Sequence, residues 1–200
     1  LFQLGFVRNR MGLSKAAIEA YRNAIRLKPD YIAARINLGL ALDDLGKTEE
    51  AIVELEKVLR LQHETAAVHF NLGLMYEKLE RMDLAEAKFR RAVTLAPSMG
   101  KAWKKLINIL VKSDRFKEAT LLFEKDGDHI PDNAELLYLF ATAFYHTDQH
   151  TEAINILQRA LKCDDTLASG WNLLGICYSS LKRYESAIKA YDEAIKLDPE

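Results

Sequence analysis

An all-α fold of six helix-turn-helix repeats is predicted by three observations. The pattern of small and large residues recurs every 34 positions along the 200-residue chain, with no insertion needed to hold the register. One column of that register is alanine throughout: Ala17, Ala51, Ala85, Ala119, Ala153 and Ala187. The prolines, Pro29, Pro97, Pro131 and Pro199, fall at the ends of repeats, where a missing N–H and a clashing ring stop a helix.

The pattern is plainest from Ala66 to Met99, where Leu72 and Gly73 precede Tyr76, and Ala85, Phe89, Ala92 and Pro97 follow in turn. Shifting by 34 residues aligns Gly5, Gly39, Gly73, Ile107, Ala141 and Gly175 in the first helices, just after Leu4, Leu38, Leu72, Leu106, Phe140 and Leu174. In the second helices, one turn after each alanine, stand Tyr21, Leu55, Phe89, Phe123, Leu157 and Tyr191. Antiparallel helices approach closely only where side chains are small, and the large residues one turn away fill the space between neighbouring repeats. Burying a ring such as Phe89 contributes about 1.5–3 kcal/mol, and forcing a bulky residue into the place of Ala85 costs about 1–3 kcal/mol.

Helices of about 12–14 residues, each about 20 Å long at 1.5 Å per residue, are therefore expected, two per repeat, with almost no strand. Short turns such as Leu45-Gly46-Lys47 join them. The repeats run over about 1–31, 32–65, 66–99, 100–133, 134–167 and 168–200, and no change of composition marks a boundary, so one array is expected. The fourth repeat departs from the pattern. It carries Ile107 in the glycine column and Asp126 in the second small column, followed at once by Gly127 and Asp128, which should end that helix early.

Composition excludes several function classes. Lys and Arg number 28 against 29 Asp and Glu, so no global field attracts nucleic acid or an anionic membrane surface. The longest nearly apolar run, 136–145, is half of the roughly 20 residues a spanning helix needs. Two cysteines and no glycosylation sequon favour a reducing, cytoplasmic setting. The chain begins at Leu1 and reads as a piece of a longer protein.

Chemistry is equally sparse. His63, His69, His129, His146 and His150 lack ligand spacing, and Asp126-Gly127-Asp128 reads as a helix-ending turn instead of a calcium loop. Cys163 and Cys177 have no orienting histidine and acid nearby and read as packing thiols. No phosphate loop or nucleophile elbow occurs. The reading assigns no catalytic residue, no metal and no cofactor.

The order Leu-Gly, Tyr, Ala, Phe, Pro in residues 72–97 resembles the tetratricopeptide repeat, and the resemblance covers the whole chain, most strongly around Gly5, Gly73 and Gly175. It implies an α-solenoid in which the repeats form a right-handed superhelix. It also implies a non-catalytic scaffold whose inner, concave face, lined by the first helix of each repeat, binds a peptide or partner helix. On that face the spacing places Phe2, Phe6, Ile36, Leu40, Phe70 and Leu74, all large and apolar, then Lys101, Lys104, Asn108 and Lys112, then Tyr138, Thr142, Tyr145 and Asn172. A ligand with apolar anchors and acidic groups would match that order.

Two finer resemblances are partial. Lys104 and Asn108 match half of the carboxylate clamp of certain tetratricopeptide co-chaperones, but Leu139, Ser169 and Leu173 stand where its other residues are wanted. Asn37 and Asn71 are similar to the asparagine ladder of O-linked N-acetylglucosamine transferase, though Lys105, Leu139 and Leu173 do not continue it. The substrate-recruiting arm of such an enzyme is the second reading. Finally, Ala187, Ile188, Tyr191 and Ile195 face where a further repeat or polar cap should lie, so uncapped ends favour end-to-end self-association.

Overall fold

Turns of one geometry give the chain its pairs of helices. In a computed structural model, which describes residues 1–61 and 63–199, Gly12, Gly46, Glu80, Asp114, Asp148 and Lys182 all adopt left-handed backbone, with φ from 55° to 77°. The residue after each closes the turn: the Lys47 N–H donates to the Leu42 carbonyl and the Gly46 N–H to the Asp43 carbonyl, both at 2.9 Å. This hydrogen-bond pair satisfies carbonyls that the helix end leaves open and reverses the chain within a few residues.

The chain divides into two compact halves, Leu1–Leu95 and Ala96–Glu200. The first holds α1 (Phe2–Arg10), α2 (Ser14–Leu27), α3 (Ile32–Asp44), α4 (Thr48–Arg60), α5 (Ala66–Lys78) and α6 (Met82–Leu95). The second holds α7 (Gly100–Lys112), α8 (Phe116–Asp126), α9 (Ala134–His146), α10 (His150–Cys163), α11 (Ala168–Ser180) and α12 (Tyr184–Leu197). No strand occurs among the described residues, and the fold class is all-α, of the helical-repeat kind. Within each half, consecutive helices pack pairwise and each second helix also touches the first helix of the following repeat.

Close approach within pairs rests on the glycine column. A Cβ on Gly73 would stand 2.5 Å from the Phe89 ring, and one on Gly175 would stand 2.6 Å from Tyr191. Only a residue without a side chain lets the ring lie flat on the facing helix at that distance. Phe89, Tyr21 and the alanines Ala17, Ala51, Ala85, Ala119 and Ala153 are fully buried. The small column thus sets the interhelical spacing and the large column fills it.

The fourth repeat is built differently. Ile107 fills the space that glycine leaves elsewhere, and the Phe123 ring turns toward α9, with centroids 4.9 Å from Phe140 and 5.6 Å from Phe144. α8 stops at Asp126 after 11 residues and tightens into a 3-10 turn over Gly127–His129. Gly127 itself keeps right-handed helical backbone, with φ −53°, so the helix ends by tightening and not through glycine's left-handed freedom.

Candidate functional site

The predicted groove residues all fall on first helices: Phe2 and Phe6 on α1, Ile36 and Leu40 on α3, Phe70 and Leu74 on α5. In the second half, α7 carries Lys101, Lys104, Asn108 and Lys112; α9 carries Tyr138, Thr142 and Tyr145; and α11 carries Asn172. Their accessibility differs. Phe6 is exposed, while Ile36, Leu40 and Leu74 are half-buried, so the three helices of the first half offer an apolar strip to solvent.

Phe70 does not belong to that open strip. It is 7% exposed and its ring lies 5.8 Å from Phe89, because the glycine at 73 draws both rings into the α5–α6 seam. Phe2 is partly withdrawn as well, with its ring 5.1 Å from Tyr31 and 5.9 Å from Tyr21.

The basic stretch is partly engaged by the chain itself. Lys104 is paired with Glu135 of the following repeat, and Lys101 also has a partner within the chain. Lys112 is exposed and Asn108 half-buried. Thr142 donates to the Tyr138 carbonyl at 2.9 Å, Tyr145 packs near His146 and His150, and Asn172 is exposed. Asn37, the first rung of the asparagine pattern, donates its amide to the Ala33 carbonyl at 2.8 Å and so is occupied by its own helix.

The titratable groups describe a packed array. Burial pushes the Cys177 thiol up to about 11, far from the thiolate needed for nucleophilic chemistry, while Cys163 is exposed. Glu64 accepts from the Arg91 guanidinium at 2.6 and 2.7 Å and lies 2.8 Å from His69 Nε2. These contacts, Arg91 first, lower Glu64 to about 2, whereas burial lowers His69 against the pull of Glu64. No group of three or more metal-binding side chains is gathered among the described residues, and no described helix is long and apolar enough to cross a membrane.

Sequence reasoning missed a second concavity. A groove of about 770 Å³ opens between α10 and α12, over α11, lined by Leu161, Lys162, Trp171, Leu174, Tyr178 and Lys189 among others. The signal was available: Trp171 stands one register from Leu137 and two from Trp103, both fully buried, yet Trp171 itself is only half-buried.

Comparison with known proteins agrees with this architecture. Profiles described as tetratricopeptide repeat match residues 37–100 and 168–200, and one described as TPR repeat matches residues 11–46. The chain belongs to the tetratricopeptide repeat family. This TPR chain is 27% identical over 117 residues to the anaphase-promoting complex subunit 3 of Dictyostelium discoideum, covering 58% of the chain and 11% of that protein. It is 29% identical over 98 residues to the auxiliary subunit of the N-terminal acetyltransferase A complex of Arabidopsis thaliana, covering 48% of the chain and 11% of that protein. The TPR chain therefore spans about a tenth of the length of these relatives. Among solved structures, YrrB, described as a TPR protein with an unusual peptide-binding site, superposes with a TM-score of 0.76 at 22% identity, over 92% of this chain and 94% of its own. That likeness is one of fold.

Proposed function

We propose that this chain is a non-catalytic protein-interaction scaffold that holds a peptide or a partner's helix against the face of its first helices. The observation that carries the reading is the apolar strip Phe6, Ile36, Leu40 and Leu74, left accessible on α1, α3 and α5 although the core beneath is fully packed. Apolar strips of this kind on a soluble surface mark interaction sites. The order of side chains in the second half adds polarity: Lys101, Lys104, Asn108 and Lys112, then Tyr138, Thr142, Tyr145 and Asn172, fit acidic and hydrogen-bonding groups. Two of the curated relatives are by name subunits of complexes, which supports an assembly role.

The apolar strip should carry most of the affinity, since truncating a buried anchor contact costs about 2 kcal/mol or more and an exposed charge pair contributes about 0.2–1 kcal/mol. Leu40→Ala combined with Leu74→Ala is expected to weaken a partner recovered by affinity capture far more than Lys104→Ala does, with helical content unchanged. Retained binding by the leucine pair, together with loss on substitution of the second-helix faces, would remove the first-helix face from consideration.

A further inference from the structure

In the first half, ion pairs run between neighbouring helices around successive second helices. Between α2 and α4, Arg22 pairs with Glu50 at 3.1 Å, and Arg35, rising from α3, pairs with Glu54 at 2.8 Å. Between α4 and α6, Lys88 pairs with Glu56 at 2.9 Å, and Arg91 of α6 pairs at 2.6 Å with Glu64 in the connection from α4 to α5, while the Tyr76 hydroxyl of α5 donates to Glu56 at 3.3 Å. In both, basic groups meet carboxylates of a neighbouring helix or of the connection beside it.

The groove between α10 and α12 carries neither partner of the Arg22–Glu50 and Arg35–Glu54 pairs. Ser186 stands 136 residues after Glu50 and Ala190 stands 136 after Glu54, four full registers on. Trp171 stands where Arg35 does, its indole N–H donating to the Asp165 carbonyl at 2.8 Å. Gln158 stands where Arg22 does, so the basic partners of those pairs are lost as well. Two lysines at other positions of the repeat face the groove instead: Lys162 on one bank and Lys189 on the other are exposed, and neither forms an ion pair among the described residues. Glu193, the one acid lining the groove, is held by Lys196 on its own helix. The floor is Leu161, Trp171, Leu174, Tyr178 and Ala190, and the open volume of about 770 Å³ lies within the range of ligand sites.

We propose that this α10–α11–α12 groove is a second binding site, for a peptide segment that presents a large apolar side chain flanked by carboxylates. The apolar side chain lies on Trp171 and Tyr178, replacing water over rings that supply much contact area at little cost in conformational entropy. The carboxylates meet Lys162 on one bank and Lys189 on the other. This site is built on α10, α11 and α12 of the second half, whereas the apolar strip lies on α1, α3 and α5 of the first, and it does not depend on that strip.

The tryptophans make the test local, because Trp171 lines the groove and Trp103 is 1% exposed within the second half. ¹⁵N-labelled protein is titrated with three pools of blocked octapeptides: acidic residues with Phe, Leu or Trp; the same with lysine replacing the acids; and acidic residues with serine replacing the apolar ones. The acidic-apolar pool is expected to shift the Trp171 indole signal and leave that of Trp103 in place, the other two pools having little effect. Lys162→Glu with Lys189→Glu is expected to weaken the acidic-apolar pool by about tenfold or more and to turn preference toward the lysine pool. An unmoved Trp171 signal, an equal response to the lysine or serine pool, or a shift driven by protein concentration alone would overturn the proposal, the last in favour of a second copy of the chain. Leu40→Ala with Leu74→Ala is expected to leave the Trp171 response intact. Its loss in that variant would overturn this site while leaving the first-helix strip standing.

Discussion

The ring of Phe123 lies 4.9 Å from that of Phe140, in the next repeat, and not on its own partner helix as Phe89 does. The cause is one substitution in the register: Ile107 occupies the position at which Gly73 admits a ring. Two consequences can be measured. Gly73→Ala drives a methyl group into the Phe89 ring and should cost about 1–3 kcal/mol through overpacking. Ala141→Gly, where Leu157 and not a ring faces the column, should cost only about 1 kcal/mol, the helix propensity difference. Equal losses in chemical denaturation would mean that ring contact is not what the glycine column provides.

The turns give a second prediction. Glu80, Asp114, Asp148 and Lys182 hold left-handed φ of 55–60°, the conformation that Gly12 and Gly46 adopt in the equivalent turns. A side chain in that region costs about 1–2 kcal/mol, part of which glycine gives back in unfolded-state entropy. Glu80→Gly or Lys182→Gly should therefore stabilise by about 0.5–1 kcal/mol, and Gly46→Ala should destabilise by at least as much. A fall in melting temperature for both glycine variants would contradict the turn argument.

Much of this was legible because the repeat period is a property of spacing. The glycine and alanine columns located the helix pairs, and Asp126 marked where α8 ends. The burial of Phe70 was not legible: its position on the first-helix face is the same whether the ring points outward or into the seam, and only the glycine opposite Phe89 decides it. The α10–α12 groove escaped for a related reason. It depends on which side chains pair across helices, such as Arg35 of α3 with Glu54 of α4, a choice that residue spacing alone does not make, and on the loss of such pairs where Ala190 replaces the acid.

Stability should depend on pH through Glu64 and His69. The folded-state pKa lies below the ordinary value for both, Glu64 mainly through Arg91 and His69 through burial. Each therefore contributes stability that is fully present above its unfolded pKa and lost as pH falls: His69 below about 6.5, and Glu64 from about 4.3 downward. For Glu64 the loss runs down through its folded pKa of about 2. The melting temperature should decline from neutrality toward acid in two stages, and the His69 ring should titrate by NMR below the ordinary histidine value. His69→Gln should abolish the first stage and spare the second. A His69 midpoint above 6.5 would show that the Glu64 contact outweighs burial.

The last prediction concerns the end helices. On α12, Ile188 and Ile195 are 59% and 60% exposed, although Ile154 and Leu161, one register earlier, are buried against α11. On α1, Leu4 and Val7 are 45% and 52% exposed, although Leu38 and Ala41, one register later, are buried. Within each half, a face like that of α12 receives a helix like α1: α2 takes α3, and α10 takes α11. The two apolar faces are thus complementary by the symmetry of the repeat, and a contact between them is head-to-tail, joining one copy to the next. The chain as given should self-associate progressively with concentration, seen as a rising weight-average sedimentation coefficient. Ile188→Lys with Ile195→Lys should hold it monomeric without lowering its melting temperature, because neither side chain is packed. Two observations would count against this: a chain monomeric at every accessible concentration, or lysine variants that associate as the parent does. The second would direct attention to the first-helix strip as the self-contact. Leu40→Ala with Leu74→Ala, measured in the same sedimentation series, separates the two faces.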